Sequence, residues 1–388
     1  MSIYKYLIKV LRDYFNREPT EVFNTDWSKM FLLSKNHEVA AIVYVQCKSF
    51  IPIESVGEFE RAYSSTLFYY ANRLNIVNRI EAELSDLEHF IIKGATIAAF
   101  YPNPALRTMG DVDFVVHTED RCDIDGRLKS IGLKCISSYD NHEWQYSKCD
   151  IEFEIHNYLV YPESFIDERQ MSYFNDFWKY VHNNRLDWNF HFVFLLFHLR
   201  KHFMYCGVGI RQFIDIAVLC SRGLEFDWAW IEAELKKLGL WLFAERVFAL
   251  NEYWFDVTPP VEIDAMPEEF YPSATELVLK NGVFGFDNEE NRDNAAVNNV
   301  RAEGNSKGSM LKLAMHKLFP SYKVLITVPH YAYLRNRPYL LPVVWVHRMF
   351  RSIANRRVLK NMKNVVETSF VDQETIKRRE EVYREWGL

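Results

Sequence analysis

Apolar positions recur every three to four residues over the first 86 residues and again from about 165 to 260, and a two-residue alternation separates these blocks. In the first block Ile3, Leu7, Val10, Leu11 and Tyr14 share one helical face. A second helix is predicted from Asp26, with Thr25 or Asp26 as its cap, to Cys47. A long third helix follows Pro52 and Glu54 and carries Phe59, Tyr63, Leu67, Leu74, Val77 and Ile80. Between 88 and 160, HFIIKG reads as a strand, residues 95–101 as a short helix, DVDFVVH as a strand and residues 119–131 as a helix. An IGLKC turn then leads into a strand, and HEWQYSK and IEFEIHNYLV read as two more. Three helices follow, over 189–205, 209–223 and 227–239, broken at Gly207, Gly209 and Gly223, and Thr258-Pro259-Pro260 closes the block.

This order predicts an α/β (α+β) fold, a small mixed or antiparallel sheet flanked by N-terminal and C-terminal helical layers. It lacks the long β-α-β-α alternation of a doubly wound sheet. The expected divisions are an N-terminal helical region (1–86), an α/β core (87–162), a helical domain (163–284), a polar loop (285–309) and a basic helical C-terminal region (310–388).

Composition adjusts this picture in a few places. The 388 residues exceed what one compact core usually holds, and 49% hydrophobic content is ample for two or three packed layers. A net charge of −6 gives no global basic field to attract nucleic acid. Locally, residues 304–366 hold twelve Lys or Arg and no acid. That stretch reads as a basic wall of a cleft, as a surface for RNA or an anionic membrane, or as charge paired with acids elsewhere. The six cysteines form no C-x-x-C pair, which fits a reducing cytoplasm. Lys5, Lys9 and Arg12 interrupt the N-terminal apolar residues, and no run of about 18 apolar residues occurs, so neither a signal peptide nor a transmembrane segment is expected.

The chemistry concentrates between Lys93 and Asp113. On a strand, Asp111 and Asp113 point to one face while Val112, Phe114 and Val116 point into a core. Two carboxylates about 6–7 Å apart repel unless a cation lies between them, and oxygen-only ligands favour Mg²⁺ or Mn²⁺. Lys93 and Arg107 are close in sequence and suited to phosphate. A third carboxylate is expected on a neighbouring strand, where Asp150, Glu152 and Glu154 alternate and His156 shares their parity. His156 is placed either to orient Glu154 or touch an acceptor, or as a satisfied polar group beside the sheet. His198 and His202 lie one helical turn apart without the intervening glutamate of a zinc protease, so a structural or phosphate-contacting role is expected. Arg211 and Asp215 read as an i,i+4 ion pair.

The run Lys93-Gly94, Tyr101-Pro102, Arg107-Thr108-Met109-Gly110-Asp111-Val112-Asp113, followed by Glu154-Ile155-His156, resembles the polymerase-β-type nucleotidyltransferase superfamily. It is most similar to the bacterial branch called nucleotidyltransferase family 5. Weaker matches at Asn36–Ala40, His198–His202, Arg211–Asp215 and Leu341-Pro342 extend the resemblance. The resemblance selects Glu154 as third carboxylate and gives Arg211 and Asp215 a cleft position. It implies that Asp111, Asp113 and Glu154 hold Mg²⁺ or Mn²⁺, while Lys93, Gly94 and Arg107 bind the triphosphate of an NTP, with ATP expected. A nucleoside monophosphate would pass to a hydroxyl on a small molecule, a protein side chain or an RNA end. The chain departs from the superfamily in carrying Lys93-Gly94 where Gly-Ser is usual, and Glu rather than Asp as third acid. The alternatives are a silent nucleotide-binding protein of the same fold and an RNA-binding helical protein.

Overall fold

The computed structural model describes residues 1–118, 120–137, 143–160, 168–205, 207–281, 319, 322–325, 334, 337–354 and 373–388. The stretch 285–309 and most of the acid-free segment 304–366 lie outside the described residues.

Four helices lead into the sheet: α1 (Ile3–Asn16), α2 (Trp27–Asn36), α3 (Ala40–Cys47) and α4 (Ile53–Glu83). Ser2 caps α1, accepting from the Lys5 amide, and Asp26 caps α2, accepting from the Lys29 amide. The helix expected to run unbroken to Cys47 is split at His37–Val39. Glu38 takes a left-handed backbone (φ 55°) there, and the buried His37 ring accepts from the Ile210 amide and donates to Leu279 O. A tertiary anchor thus overrides local helix propensity.

The sheet comprises β1 (His89–Ile92), β2 (Asp111–Val116), β3 (Lys134–Ser137), β4 (Glu143–Lys148) and β5 (Ile151–His156), in the order β1-β2-β5-β4-β3. Strands β2 and β5 run parallel and the other neighbours antiparallel, so the sheet is mixed. The β4–β5 hairpin turns on Cys149 and Asp150, both at positive φ, as a two-residue primed turn requires. Asp150 is therefore a turn residue, not a strand residue.

Strand alternation sorts the sheet into two faces. Val112, Phe114, Val116, Phe153 and Ile155 pack with Ile76, Val77 and Ile80 of α4 and with Ile124 and Leu128 of α6 (Arg121–Ser130), the helix after the short α5 (Gly94–Ile97). On the other face Phe90, Ile92 and Val115 join the main core. That core is built by α1–α3, α7 (Glu168–Asn175), α8 (Trp188–Tyr205), α9 (Ile210–Ser221), α10 (Trp228–Lys237), α11 (Trp241–Phe255) and α12 (Phe270–Asn281). Helix α11, α12 and the small hairpin β6 (Val181–His182) to β7 (Arg185–Leu186) are additional to the elements read from the sequence. The terminal helix Gln373–Glu385 looks charged throughout, yet Tyr383 and Trp386 are buried in this core and Tyr383 donates to Met204 O. Among the described residues no helix is long and apolar enough to cross a membrane.

Candidate active site

The parallel β2–β5 register sets Asp111 beside Glu152 and Asp113 beside Glu154, with His156 one step further along. All five side chains share the sheet face opposite Val112 and Phe114, and they line a cleft of about 670 Å³ roofed by α8 and α9. Donor atoms of Asp113, Glu154 and His156 lie within 4.8 Å of one another. Asp111 stands outside this group, at the start of β2.

The cation between these acids is the ammonium of Lys93, 2.6 Å from Asp113 Oδ1. The same oxygen accepts from His156 Nε2 at 3.0 Å, and that nitrogen is 3.5 Å from the Glu154 carboxylate. Gln145 on β4 donates to the other Glu154 oxygen at 3.1 Å. Lys93 is held by its backbone as well: its φ of 58° is unusual for a side-chain-bearing residue. Its amide donates to His191 Nε2 on α8, and its carbonyl accepts from Thr96 Oγ1 and the Ile97 amide. A strained conformation fixed from two sides aims the side chain at Asp113.

These contacts set the protonation states. Burial and the Asp113 charge push Asp111 up to about 6. Burial works against ionisation of Asp113, but Lys93 and His156 hold it well below the usual carboxylate range. Burial likewise opposes an imidazolium at His156, yet the hydrogen bonds to Asp113 and Glu154 prevail and lift it to about 9. Since the folded pKa exceeds the unfolded one of about 6.5, the stabilisation from His156 is complete below pH 6.5 and is lost as pH rises through 9. Urea unfolding across pH 6–10 is expected to show this loss, on the order of 3 kcal/mol at most, and His156→Gln should abolish the trend.

Arg107 is engaged by a residue far along the chain. Its Nε donates to Asp215 Oδ1 at 3.1 Å and its Nη2 to Oδ2, a two-pronged pair with both side chains buried. Tyr101 also donates to Asp215, at 2.7 Å. The i,i+4 pair expected between Arg211 and Asp215 is replaced: Asp215 pairs with Arg107, while Arg211 pairs with Glu38 and donates to Thr108 O at 2.8 Å. Thr108 Oγ1 donates to Glu38 O at 2.7 Å, and Arg73 Nη2 to Met109 O at 2.9 Å. The turn entering β2 is thus pinned by α4, α9 and the α2–α3 break.

Gly94 belongs to the same assembly. A Cβ there would lie 2.9 Å from Arg107 Cζ and closer still to Nη1. Asp215 and Thr108 O leave the guanidinium nowhere to retreat. Gly94→Ala is expected to cost about 1–3 kcal/mol in a denaturant titration, as overpacked sites do.

His198 and His202 face each other on α8, their Nε2 atoms 2.8 Å apart, so one donates while the other accepts. Burial lowers both, His202 to about 4. Among the described residues they belong to no group of three metal-ligating side chains, and they line the cleft near Lys201. Three residues that build the site went unrecognised in the sequence reading: His191, Gln145 and Arg73. Gln145 was readable from strand parity, because it pairs across from Glu154. His191 and Arg73 act from helices distant in sequence and carry no local signal.

The mixed sheet thus presents acids from two parallel neighbouring strands to a helix-roofed cleft. A family model described as an uncharacterised nucleotidyltransferase matches residues 24–256, more than half of the chain, and the chain belongs to that family. No curated protein and no solved structure matches it.

Proposed function

We propose that the protein is a metal-dependent nucleotidyltransferase that moves a nucleoside monophosphate from an NTP, ATP in the first instance, to a hydroxyl acceptor. The acceptor oxygen forms a bond to the α-phosphorus, the bond from that phosphorus to the bridging oxygen breaks, and pyrophosphate leaves. The observation that carries this reading is the level placement of Asp113 and Glu154 on parallel strands, with His156 completing the group and Asp111 on the same face.

The donor set fits a hard divalent cation such as Mg²⁺ or Mn²⁺. Carboxylate oxygens dominate it, and Asp111, raised by burial and then by the Asp113 charge, adds a further oxygen donor on the same face. Asp113 and Glu154 would hold the ion, with Asp111 at the mouth of the site and His156 as neighbour or ligand. When bound, such an ion lowers the pKa of the acceptor hydroxyl and neutralises charge on the transferring phosphoryl group. Lys93, which pairs with Asp113 and lines the cleft, would supply positive charge to the triphosphate. Arg107 adds positive charge to that side while its fork stays on Asp215.

The test is incubation with each of the four labelled NTPs plus Mg²⁺ or Mn²⁺ and a hydroxyl-compound, protein or RNA pool, following pyrophosphate. Release that needs both metal and acceptor supports the proposal. Nucleotide binding without release from any pool would instead identify a silent binder.

A further inference from the structure

A second space lies across the β2-entry turn from the acidic cleft. It is a slot of about 450 Å³, and Arg107, Met109, Gly110 and Asp150 line both. One stripe of α4 forms its floor: Ala62, Thr66, Tyr69 and Arg73 follow one another at spacings of four, three and four residues, which places them on one helical face. Ala40 and Ala41 of α3 line it as well. Ala40, Ala41 and Ala62 belong to or pack against the main core, and beside them the short side chains leave room for a flat apolar body.

The slot also holds the Arg73 guanidinium, while its acids are Glu38, which pairs with Arg211, and Asp150. Arg73 is 7% exposed, and among the described residues no carboxylate lies within ion-pair distance of it. Its Nη2 is used on Met109 O, whereas its Nε is buried with no partner. Burial lowers its pKa to about 10, Arg107 pushes the same way, and the Asp111 charge opposes them without prevailing. A buried guanidinium costs free energy unless an anion meets it. The slot supplies apolar walls and that charge, and its turn ends one residue before Asp111.

We propose that this slot is the acceptor site, and that the acceptor is a small molecule with a flat apolar body, an anionic group held by Arg73 and a hydroxyl directed toward Asp111. The assignment of the hydroxyl rests on the nucleotidyltransferase reading; the anion site does not. The size of the slot suits a small molecule rather than a folded partner.

Binding is measured on the full chain without nucleotide or metal, by ligand-observed NMR titration. The probes are 4-hydroxyphenylacetate and 4-hydroxyphenyl phosphate, with neutral 4-hydroxyphenylethanol as the uncharged control. At least one anion is expected to bind about 10-fold or more tighter than the control, and the better of the two identifies carboxylate or phosphate as the group recognised. Arg73→Gln should erase that preference while leaving the control unchanged. Because Arg73 also supports the turn, Ala62→Phe is the second variant: it fills the slot, leaves Arg73 in place and should abolish binding of all three probes. Equal affinity for anions and control, or binding that survives Ala62→Phe, overturns the proposal. A protein that transfers no nucleotide yet shows this pattern keeps its anion slot and loses the transferase reading. One that transfers nucleotide but ignores these probes loses the slot alone.

Discussion

Asp113→Ala is expected to lower metal-dependent nucleotidyl transfer by at least about 10³-fold, measured as pyrophosphate release at saturating NTP. One oxygen of this carboxylate receives both Lys93 and His156, and the side chain faces Glu154 across the parallel register. Under the proposed chemistry, removing it deletes an ion ligand, and it leaves the half-buried Lys93 and the buried His156 without their shared anion. Asp113→Asn keeps the shape and loses the charge, so it should be nearly as inactive. Charge, not volume, is then the property that matters, and near-wild-type activity in either variant would sink the assignment. Asp111→Ala should behave similarly toward transfer while disturbing stability less, because among the described residues its carboxylate is hydrogen-bonded only by its own backbone amide. Circular dichroism on each variant separates lost chemistry from lost fold.

The second large effect concerns stability. Asp215→Ala is expected to cost about 3–5 kcal/mol in urea unfolding, because it strands the buried Arg107 guanidinium. Tyr101 loses its acceptor in the same change. Replacing both partners, as Arg107→Met with Asp215→Leu, should recover most of that loss, since two well-packed apolar side chains demand no neutralisation. The same double variant separates structure from chemistry at Arg107. If its charge serves phosphate, stability returns while the KM for NTP stays raised; if Arg107 only braces the turn, both recover together. A single variant Asp215→Ala as stable as the parent would show that the pair contributes nothing.

Much of the sheet is legible along the chain because strand alternation is a local signal. Asp111 and Asp113 against Val112 and Phe114, and Glu152 and Glu154 against Phe153 and Ile155, declare their faces within a few residues. Which acid stands level with Asp113 is different information: it depends on how β2 and β5 are staggered, and family resemblance, not periodicity, pointed to Glu154. The partners of the cations were hidden for the same reason. Lys93 lies 20 residues before Asp113 and Arg107 lies 108 residues before Asp215. An i,i+4 spacing on α9 suggested a pair for Arg211 that the third dimension broke in favour of Glu38. Likewise the residues around His37 have helical neighbours on both sides, and only the docking of α9 and α12 onto that ring explains the interruption.

The three-sided pinning of residues 107–110 means that strand β2 has no autonomy. Glu38, Arg73, His191, Arg211 and Asp215 come from three helices and the α2–α3 break, yet every one falls inside the 24–256 stretch matched by the family. An excised 87–162 fragment would keep Asp111, Asp113 and Glu154 and lose all five supports. The indivisible unit of this fold is therefore the sheet together with its helical brace, and substitutions in the first helices should register at an acidic cluster they never touch.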